Sequence, residues 1–306
     1  MEQAVAIRAP AKINLGLSVI GKRGDGYHNI RTLFQAVSLS DELKFWPAKE
    51  GIELICQGDE KIPSDQENIV WKAARLIMSR YCIPGGVKIL IHKRIPLAAG
   101  LGGGSSDAAA TLRGLSELFH LHLTTEEFMA MGKQLGADVP FFLLGHPCAL
   151  GEGIGAELTP MPPLPDSWII ILNPGFPILT QWVYTKTSLL LTKKSNHINM
   201  VQFFLKEHNL SQIGYHLHND LEAVVLERYP VVAELKNRLF SAGAVGAAMS
   251  GSGASVFGIF ADRPLAEQAF NLMIEEGSGW KVFLTQPLGN TNQLTFYRED
   301  GEGRWK

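Results

Sequence analysis

Cysteine, long apolar runs and runs of a single charge sign are all scarce in this sequence. Its three cysteines, Cys56, Cys82 and Cys148, are odd in number and widely spaced, which argues against a disulfide framework or a cysteine metal site. We expect buried thiols in a reducing compartment. No apolar run reaches the roughly 18–20 residues that a bilayer span needs, and the first residues lack the pattern of a secretory or organellar leader. These absences predict a cytoplasmic protein that does not bind membranes.

The charge balance limits the partners further. Lysine plus arginine number 28 and aspartate plus glutamate number 30, which gives a formal net charge of −2. Without a basic surface we expect no nucleic-acid partner. With 46% hydrophobic and 19% charged residues, the composition is that of a packed globular protein, and 306 residues suit two domains of ordinary size.

Hydrophobic periodicity predicts a mixture of strands and helices. Apolar residues that alternate or are β-branched predict strands at 5–20, 33–45, 53–57, 87–92, 168–172 and 281–285. Apolar residues at helical spacing predict helices at 68–81, 107–120, 125–135 and 224–239. For residues 243–260 we expect a glycine-serine turn that leads into one strand. The order shows no repeating β-α-β rhythm, so we expect an α+β fold.

A change of texture marks the predicted domain boundary. From about Leu150 the sequence GEGIGAELTPMPPLPDS is rich in glycine and proline, which indicates a turn followed by a connector. We therefore predict one domain over residues 1–160 and a second over residues 161–306. The polar end of the chain, residues 290–306, has no assigned role.

The stretch PLAAGLGGGSSDAAA, from Pro96 to Ala110, lies directly before a predicted helix. Glycines let consecutive N–H groups point into one concavity, and the start of a helix adds unpaired N–H groups and partial positive charge. We expect Ser105 or Ser106 to cap a helix that begins near Asp107, whose carboxylate should face away from a bound anion. The residues favour a cradle for a polyphosphate.

Two common phosphate motifs do not fit this loop. It lacks the Lys-Ser/Thr ending of a Walker A loop and the Gly-x-Gly-x-x-Gly pattern of a dinucleotide-binding turn. A flexible turn between a strand and a helix is the structural alternative.

Three further stretches become relevant once a phosphate site is suspected. Lys12 interrupts an apolar strand in APAKINLG, although a solvent-facing lysine explains it equally well. Asp138 lies in GADVPFF, where we expect Pro140 to force Val139 into an extended conformation; taken alone, Asp138 is best explained as a turn or capping residue. The third stretch, SGSGAS at 250–255, is equally well explained as a tight turn before a strand.

Together these stretches resemble the GHMP kinase superfamily, which includes galactokinases and homoserine, mevalonate and phosphomevalonate kinases. The loop from Pro96 to Ser106 matches its ATP-phosphate motif. The segments APAKINLGLSV, GKRGDGYH, GADVPFFL, HNDLE and AMSGSGASVFG are similar to a narrower branch. That branch phosphorylates a cytidine-diphosphate-linked methylerythritol in the non-mevalonate route to isoprenoids.

The resemblance implies a fold and a set of ligands. It implies the two-domain GHMP kinase fold, with a ribosomal protein S5 domain 2-like N-terminal domain and a ferredoxin-like α/β C-terminal domain. The active site would lie in the cleft between the domains. ATP would donate the phosphoryl group with Mg²⁺ present, and the acceptor would be the small cytidine-linked alcohol. Either a monomer or a homodimer is compatible with the sequence.

The resemblance also implies roles for particular residues. Asp138 would be the catalytic carboxylate, with Lys12 as its partner. The residues implied to bind the cytidine-linked substrate are Asn14, Tyr27, His28, Thr180 and Tyr184. The residues implied to bind ATP are Pro96, Leu97, Ala98, Ala99, Gly100, Leu101, Gly102, Gly103, Gly104, Ser105, Ser106, Asn68 and Lys93. Ser106 is also the expected protein ligand of Mg²⁺.

Two other functions stay open at this point. One is a kinase of the same superfamily that acts on mevalonate or homoserine, which the GDGYH segment disfavours. The other is a nucleotide-binding sensor that retains the loop without catalysis, which should lack the pair of Lys12 and Asp138.

Overall fold

The computed structural model of the chain describes residues 4–58, 62–187, 196–276, 279–289 and 295–298. Strands in the described residues are β1 Val5–Lys22, β2 His28–Ala48, β3 Gly51–Gln57, β4 Gly86–His92, β5 Cys148–Glu152, β6 Glu157–Pro160, β7 Trp168–Asn173, β8 His218–Asn219, β9 Gly246–Met249, β10 Val256–Phe260, β11 Lys281–Thr285 and β12 Thr295–Arg298. Helices are α1 Ile69–Arg80, α2 Gly103–Leu118, α3 Thr125–Leu135, α4 Val139–Leu143, α5 Thr180–Thr187, α6 His197–Lys206, α7 Leu210–Tyr215, α8 Glu222–Arg228, α9 Pro230–Ser241 and α10 Arg263–Glu275.

The first sheet is organised around a long antiparallel hairpin. Strands β1 and β2 pair from Val5↔Phe45 to Lys22↔His28, with interruptions in the register. The order of the sheet is β12-β1-β2-β4-β3. In addition, β5 pairs with both β2 and β6, and β8 pairs with β1. Strand β8 runs parallel to β1 and brings residues from far along the chain to the site.

Helices α1 to α4 cover the first sheet and form one hydrophobic core with it. Phe45 of β2 and Ile89 of β4 belong to this core together with Ile77 of α1 and Leu115 of α2. Helices α1 and α3 begin where their sequences indicate, because Asn68 caps α1 and Thr124 forms a capping box at the start of α3. This packing holds the start of α2 in a fixed place.

The second sheet has the order β11-β7-β10-β9 and is antiparallel throughout. Its buried residues form a hydrophobic cluster with α8, α9 and α10 that includes Val256, Leu235 and Ala269, and Leu17 and Ile30 of the first sheet belong to the same cluster. Helices and largely antiparallel sheets are thus segregated, which confirms the predicted α+β fold.

Several local predictions are wrong. The predicted helix at 224–239 is two helices, because Pro230 has no N–H to continue α8 and starts α9 instead. Residues 243–260 contain two strands, since β9 lies beside β10; its Gly246 packs so closely on Gly214 that a Cβ would lie 2.3 Å from the Gly214 carbonyl oxygen. The connector predicted after Leu150 begins instead with the hairpin of β5 and β6.

Cysteine environments also differ from the expectation. Cys148 is buried, but Cys56 is partly buried and Cys82 is exposed, and all three are free. Burial raises the pKa of the Cys148 thiol, which keeps it protonated.

The ends of the two sheets bear on the domain boundary. Strand β6 ends at Pro160 in the first sheet and β7 begins at Trp168 in the second, but β8 and β12 return to the first sheet. The division at 160/161 stays a prediction. Much of the predicted polar tail, residues 290–294 and 299–306, lies outside the described residues. In the described ranges, every helix is too short or too polar to cross a bilayer.

Candidate active site

A cavity of about 990 Å³ lies where the first sheet, the second sheet and the loop from Pro96 to Ser106 meet. We call this loop the glycine loop. It is lined by the first sheet, the loop after β4, the segment before α4, helix α5 and the turn between β9 and β10. Most residues that the sequence singled out meet here. The predicted site residues that line the cavity are Lys12, Asn14, Tyr27, His28, residues 96–105, Asp138, Thr180 and Tyr184.

Strand β1 presents Lys12 to this cavity from within the sheet. Lys12 is 3% exposed, so it is not a solvent-facing lysine. Its Nζ donates to Asn14 Oδ1 at 2.7 Å and lies 3.8 Å from Asp138 Oδ2. Lys12 and Asn14 are two residues apart and therefore share one face of the strand. Burial lowers the pKa of Lys12, and the nearby Asp138 carboxylate opposes that shift.

Asp138 occupies the position before helix α4. Its side chain makes no capping hydrogen bond and is 34% exposed, which leaves the carboxylate available to the cavity. The expected extended conformation of Val139 is wrong, because Val139 is the first residue of α4 and Pro140 the second. Proline is tolerated there because the first-turn N–H groups have no intrahelical acceptor. The helix start aims Asp138 at Lys12.

The glycine loop leads into α2 four residues earlier than predicted. Helix α2 begins at Gly103, its N-cap is Gly102 with φ of 68°, and no side chain caps it. The expected capping by Ser105 or Ser106 is therefore wrong, since both lie in the first turn. The first intrahelical bond runs from Ser106 N to Gly102 O at 2.9 Å. The preceding N–H groups of the first turn have no intrahelical acceptor, which suits an anion.

The turn between β9 and β10 closes the cavity from the second sheet. Ser250 Oγ lies 2.9 Å from Gly100 O and 3.4 Å from Asn14 Oδ1. The Asn219 amide donates to Met249 O and Gly251 O, both at 2.8 Å. Buried polar contacts therefore join the turn to the glycine loop and to β1.

Aromatic side chains lie at another side of the cavity. The rings of His28 and Tyr184 have centroids 5.3 Å apart and are tilted by 30°. His28 is buried, and its Nε2 has no hydrogen-bond partner among the described residues. Burial lowers the pKa of His28, as does the charge of Lys22, so the imidazole is neutral at pH 7. Tyr27, by contrast, is 61% exposed.

Three predicted ligand-binding residues do not line the cavity. Asn68 caps α1 and donates to Pro63 O at 2.7 Å. The Lys93 ammonium lies 2.6 Å from carboxylates of both Asp41 and Asp107. Ser106 is fully buried, and its Oγ has no partner among the described residues. The Asp107 carboxylate is buried and accepts a hydrogen bond from Lys93, and its orientation relative to a bound anion stays a prediction.

Sequence reasoning missed several residues of this region. Asn219 lies in HNDLE, a segment quoted for the resemblance without a role. Ser252 also lines the cavity, and its Oγ lies 2.8 Å from Thr180 Oγ1. Asp41 shows no sequence signal beyond an acidic residue inside a long apolar strand, and its role appears only when β2 meets the loop after β4.

Family models match both halves of the chain. The N-terminal domain of GHMP kinases matches residues 68–146, and the C-terminal domain of GHMP kinases matches residues 202–278. A solved homoserine kinase from Cytophaga hutchinsonii has a TM-score of 0.75 at 19% identity, over 97% of this chain and 98% of that one. At that identity the likeness concerns the fold, and it confirms the predicted GHMP kinase fold.

Similarity over nearly the whole chain is more specific. The 4-diphosphocytidyl-2-C-methyl-D-erythritol kinase of Syntrophus aciditrophicus is 46% identical over 282 residues, covering 92% of this chain and 99% of that protein. The enzyme of the same name from Geobacter metallireducens is 44% identical over 94% of this chain and 99% of its own. A crystal structure of 4-(cytidine 5'-diphospho)-2C-methyl-D-erythritol kinase superposes with a TM-score of 0.80 at 35% identity, over 93% and 99% of the two chains. This chain therefore belongs to the 4-diphosphocytidyl-2-C-methyl-D-erythritol kinase family of the GHMP kinases.

Proposed function

We propose that the protein is a kinase that transfers the γ-phosphoryl group of ATP to the C2 hydroxyl of 4-diphosphocytidyl-2-C-methyl-D-erythritol, in the non-mevalonate route to isoprenoid precursors. One observation carries this proposal: Lys12 and Asp138 face each other across 3.8 Å in a cavity that also contains the glycine loop and the His28–Tyr184 pair. The proposed ATP site at the glycine loop and the proposed substrate site at the aromatic pair therefore adjoin the same two residues, Lys12 and Asp138.

Asp138 and Lys12 have complementary chemical tasks. Phosphoryl transfer passes through a loose transition state, so positioning and charge stabilisation supply most of the acceleration. Asp138 accepts the proton of the acceptor hydroxyl as its oxygen bonds to phosphorus, while the bond to the leaving ADP breaks. The Lys12 ammonium stabilises the negative charge of the transferring group and, through its bond to Asn14, keeps a fixed direction.

The glycine loop is the proposed site of the ATP phosphates. The N–H groups at the start of α2 and the partial positive charge of the helix favour an anion there. Gly104 supports this role, because a Cβ at that position would meet only Ile69 Cγ2 at 3.7 Å, which leaves the backbone open to a ligand. Asn68 is also a proposed nucleotide-binding residue, but it does not line the cavity. Its contact with the nucleotide would therefore lie outside the cavity.

Mg²⁺ is proposed to arrive with ATP. Among the described residues no group of three or more acidic, histidine or cysteine side chains could hold a metal ion. This agrees with an ion carried chiefly by phosphate oxygens and water. Ser106 Oγ does not line the cavity, but it lacks a protein partner in the described part and would be one oxygen ligand. When bound, the ion would neutralise negative charge on the phosphates of ATP.

The aromatic side of the cavity is the proposed cytosine site. A neutral His28 offers one acceptor and one donor nitrogen, and its partnerless Nε2 is available to the edge of a base. Tyr184 and Tyr27 provide ring surface for stacking. Thr180 and Asn14 line the same space with polar atoms. A mevalonate or homoserine acceptor would leave this aromatic side without a ligand.

The proposal also covers the protein's partners, its location in the cell and its oligomeric state. A small-molecule substrate is enough to account for the cavity, and we infer a cytoplasmic enzyme without nucleic-acid partners. Monomer and homodimer are both compatible with the fold.

Substrate competition tests the proposed function. Purified protein is incubated with ATP, Mg²⁺ and equal concentrations of the cytidine compound, mevalonate and homoserine, and ADP release and ³¹P NMR spectra are recorded. A new phosphomonoester on the C2 oxygen of the cytidine compound is the expected product. Preferential phosphorylation of mevalonate or homoserine would refute the assignment, and absence of turnover with tight ATP binding would favour a sensor.

A further inference from the structure

Asp41, on β2, holds the beginning of the glycine loop. It is 0% exposed, and its Oδ1 accepts hydrogen bonds from Arg94 N at 2.6 Å and Ile95 N at 2.9 Å. These two residues lead directly into the loop at Pro96. Two backbone donors on one carboxylate oxygen set the direction in which the chain leaves β4.

The same carboxylate also holds the end of the loop, through Lys93. Lys93 Nζ lies 2.6 Å from Asp41 Oδ2 and 2.6 Å from Asp107 Oδ2. Asp107 lies in α2, just after the loop. All three side chains are almost fully buried. We call Asp41, Lys93 and Asp107 the loop clamp, since both ends of residues 94–107 are joined to Asp41.

The glycine loop rests on the clamp. A Cβ at Gly103, the first residue of α2, would lie 3.1 Å from Lys93 Nζ and 2.9 Å from Ile95 Cγ2. This glycine therefore permits close approach between the helix start and the buried ammonium. Moving Lys93 would remove the support beneath the helix N-terminus.

The buried charges of the clamp are unequal in number. One ammonium faces two carboxylates, and Asp107 Oδ1 is buried without a partner among the described residues. Burial raises the pKa of Asp107, and Asp41 adds to the rise while Lys93 opposes it. Burial opposes protonation of Lys93, but its two carboxylates raise its pKa overall. Removing Lys93 would leave two buried carboxylates without a counter-charge, whereas removing Asp107 would take away one of the two acceptors that fix the ammonium.

We propose that Asp41, Lys93 and Asp107 are positioning residues that set the shape of the ATP loop, and that Lys93 acts on ATP through this loop rather than by contact. The inference rests on the proposed function for the identity of the nucleotide. It replaces the expected contact of Lys93 with ATP, because the ammonium is already held by two carboxylates and Lys93 is not among the residues that line the main cavity.

A double-mutant cycle distinguishes the clamp from direct contact. Lys93→Met and Asp107→Asn, singly and together, are compared for kcat and for KM of each substrate. Each single variant should raise KM for ATP about 10-fold or more, with KM for the cytidine compound within about twofold of wild type. The double variant should be no worse than Lys93→Met, because both changes break one unit. Wild-type KM for ATP in Asp107→Asn, or effects that multiply in the double variant, would overturn the proposal.

A matched control comes from β4, the strand that ends directly before Lys93. Lys88, on β4, forms an exposed ion pair with Glu53 at 3.1 Å, and Lys88→Met should leave both KM values unchanged. Calorimetric binding of a non-hydrolysable ATP analogue separates this proposal from the proposed function. Binding without turnover by the wild type refutes only the function. Wild-type affinity for the analogue in Asp107→Asn, or no binding by the wild type, overturns the clamp.

Discussion

Gly100 of the glycine loop packs directly on the carbonyl of Ser250 in the turn between β9 and β10. A Cβ at Gly100 would lie 2.0 Å from Ser250 O, and φ of Gly100 is 77°. The loop is thus in contact with the second sheet's turn at a point where no side chain fits. This contact, together with the bond between Ser250 Oγ and Gly100 O, links the proposed ATP site to the residues that close the cavity.

Gly100→Ala should therefore lower both stability and ATP binding. Gly145 is a control with nearly the same conformation, since its φ is 78° and a Cβ there would meet nothing within 4 Å. Gly145→Ala should lose about 1 kcal/mol of unfolding free energy from backbone strain alone. Gly100→Ala should lose clearly more and raise KM for ATP. Equal losses in urea unfolding, with unchanged KM, would show that the contact is unimportant.

Lys12 should set the alkaline limit of activity. Its ammonium is the useful form, and burial lowers its pKa, so kcat should begin to fall at a pH below that expected of an ordinary lysine. Lys12→Met should lower kcat about 100-fold to 1,000-fold and remove this alkaline limb. A pH–rate profile with an unchanged alkaline limb in the variant would contradict the assignment.

The strongest parts of the sequence prediction were those with a local cause. Strands β1 and β2 and helices α1 and α3 follow from alternation, helical spacing and capping residues that neighbouring sequence supplies. The meeting of Lys12 with Asp138 was also expected, but only through the resemblance, because 126 positions of sequence separate the two and periodicity says nothing about that distance.

What failed had causes elsewhere in the chain. Strand β9 looked like a turn because its small residues are required by contact with Gly214, which sequence order does not reveal. The contact of the Lys93 ammonium with Asp41 has no sequence signal either, because the two residues are 52 positions apart. Val139 lies in a helix because tertiary packing and the first-turn position of Pro140 outweigh the local preference.

His28→Phe should weaken the cytidine compound selectively. The ring stays large and flat while the partnerless Nε2 is removed, so KM for that substrate should rise about 10-fold and KM for ATP should not change. Because the pKa of His28 is lowered, the wild-type KM should be constant at neutral pH and rise only as the imidazole is protonated in acid. A parallel rise in both KM values would argue against a cytosine role.

Asn219→Ala should slow catalysis by releasing the turn that closes the cavity. Its amide holds two carbonyls of this turn, Met249 O and Gly251 O, and its Oδ1 accepts from Leu221 N at 3.0 Å. Gly251 of this turn lies close to the Lys12 ammonium, because a Cβ at Gly251 would be only 3.1 Å from Lys12 Nζ. Loss of the Asn219 bonds should therefore let the turn shift relative to Lys12. We expect kcat to fall about 10-fold to 100-fold.

Asn209 supplies the comparison that separates this effect from lost stability. It caps α7 by accepting from Gln212 N at 3.1 Å and lies outside the cavity lining. Asn209→Ala should lose about 1 kcal/mol of unfolding free energy and keep the wild-type kcat. If Asn219→Ala also keeps its kcat at a temperature where it is fully folded, the turn is held by its other contacts, and Ser250 becomes the residue that positions it.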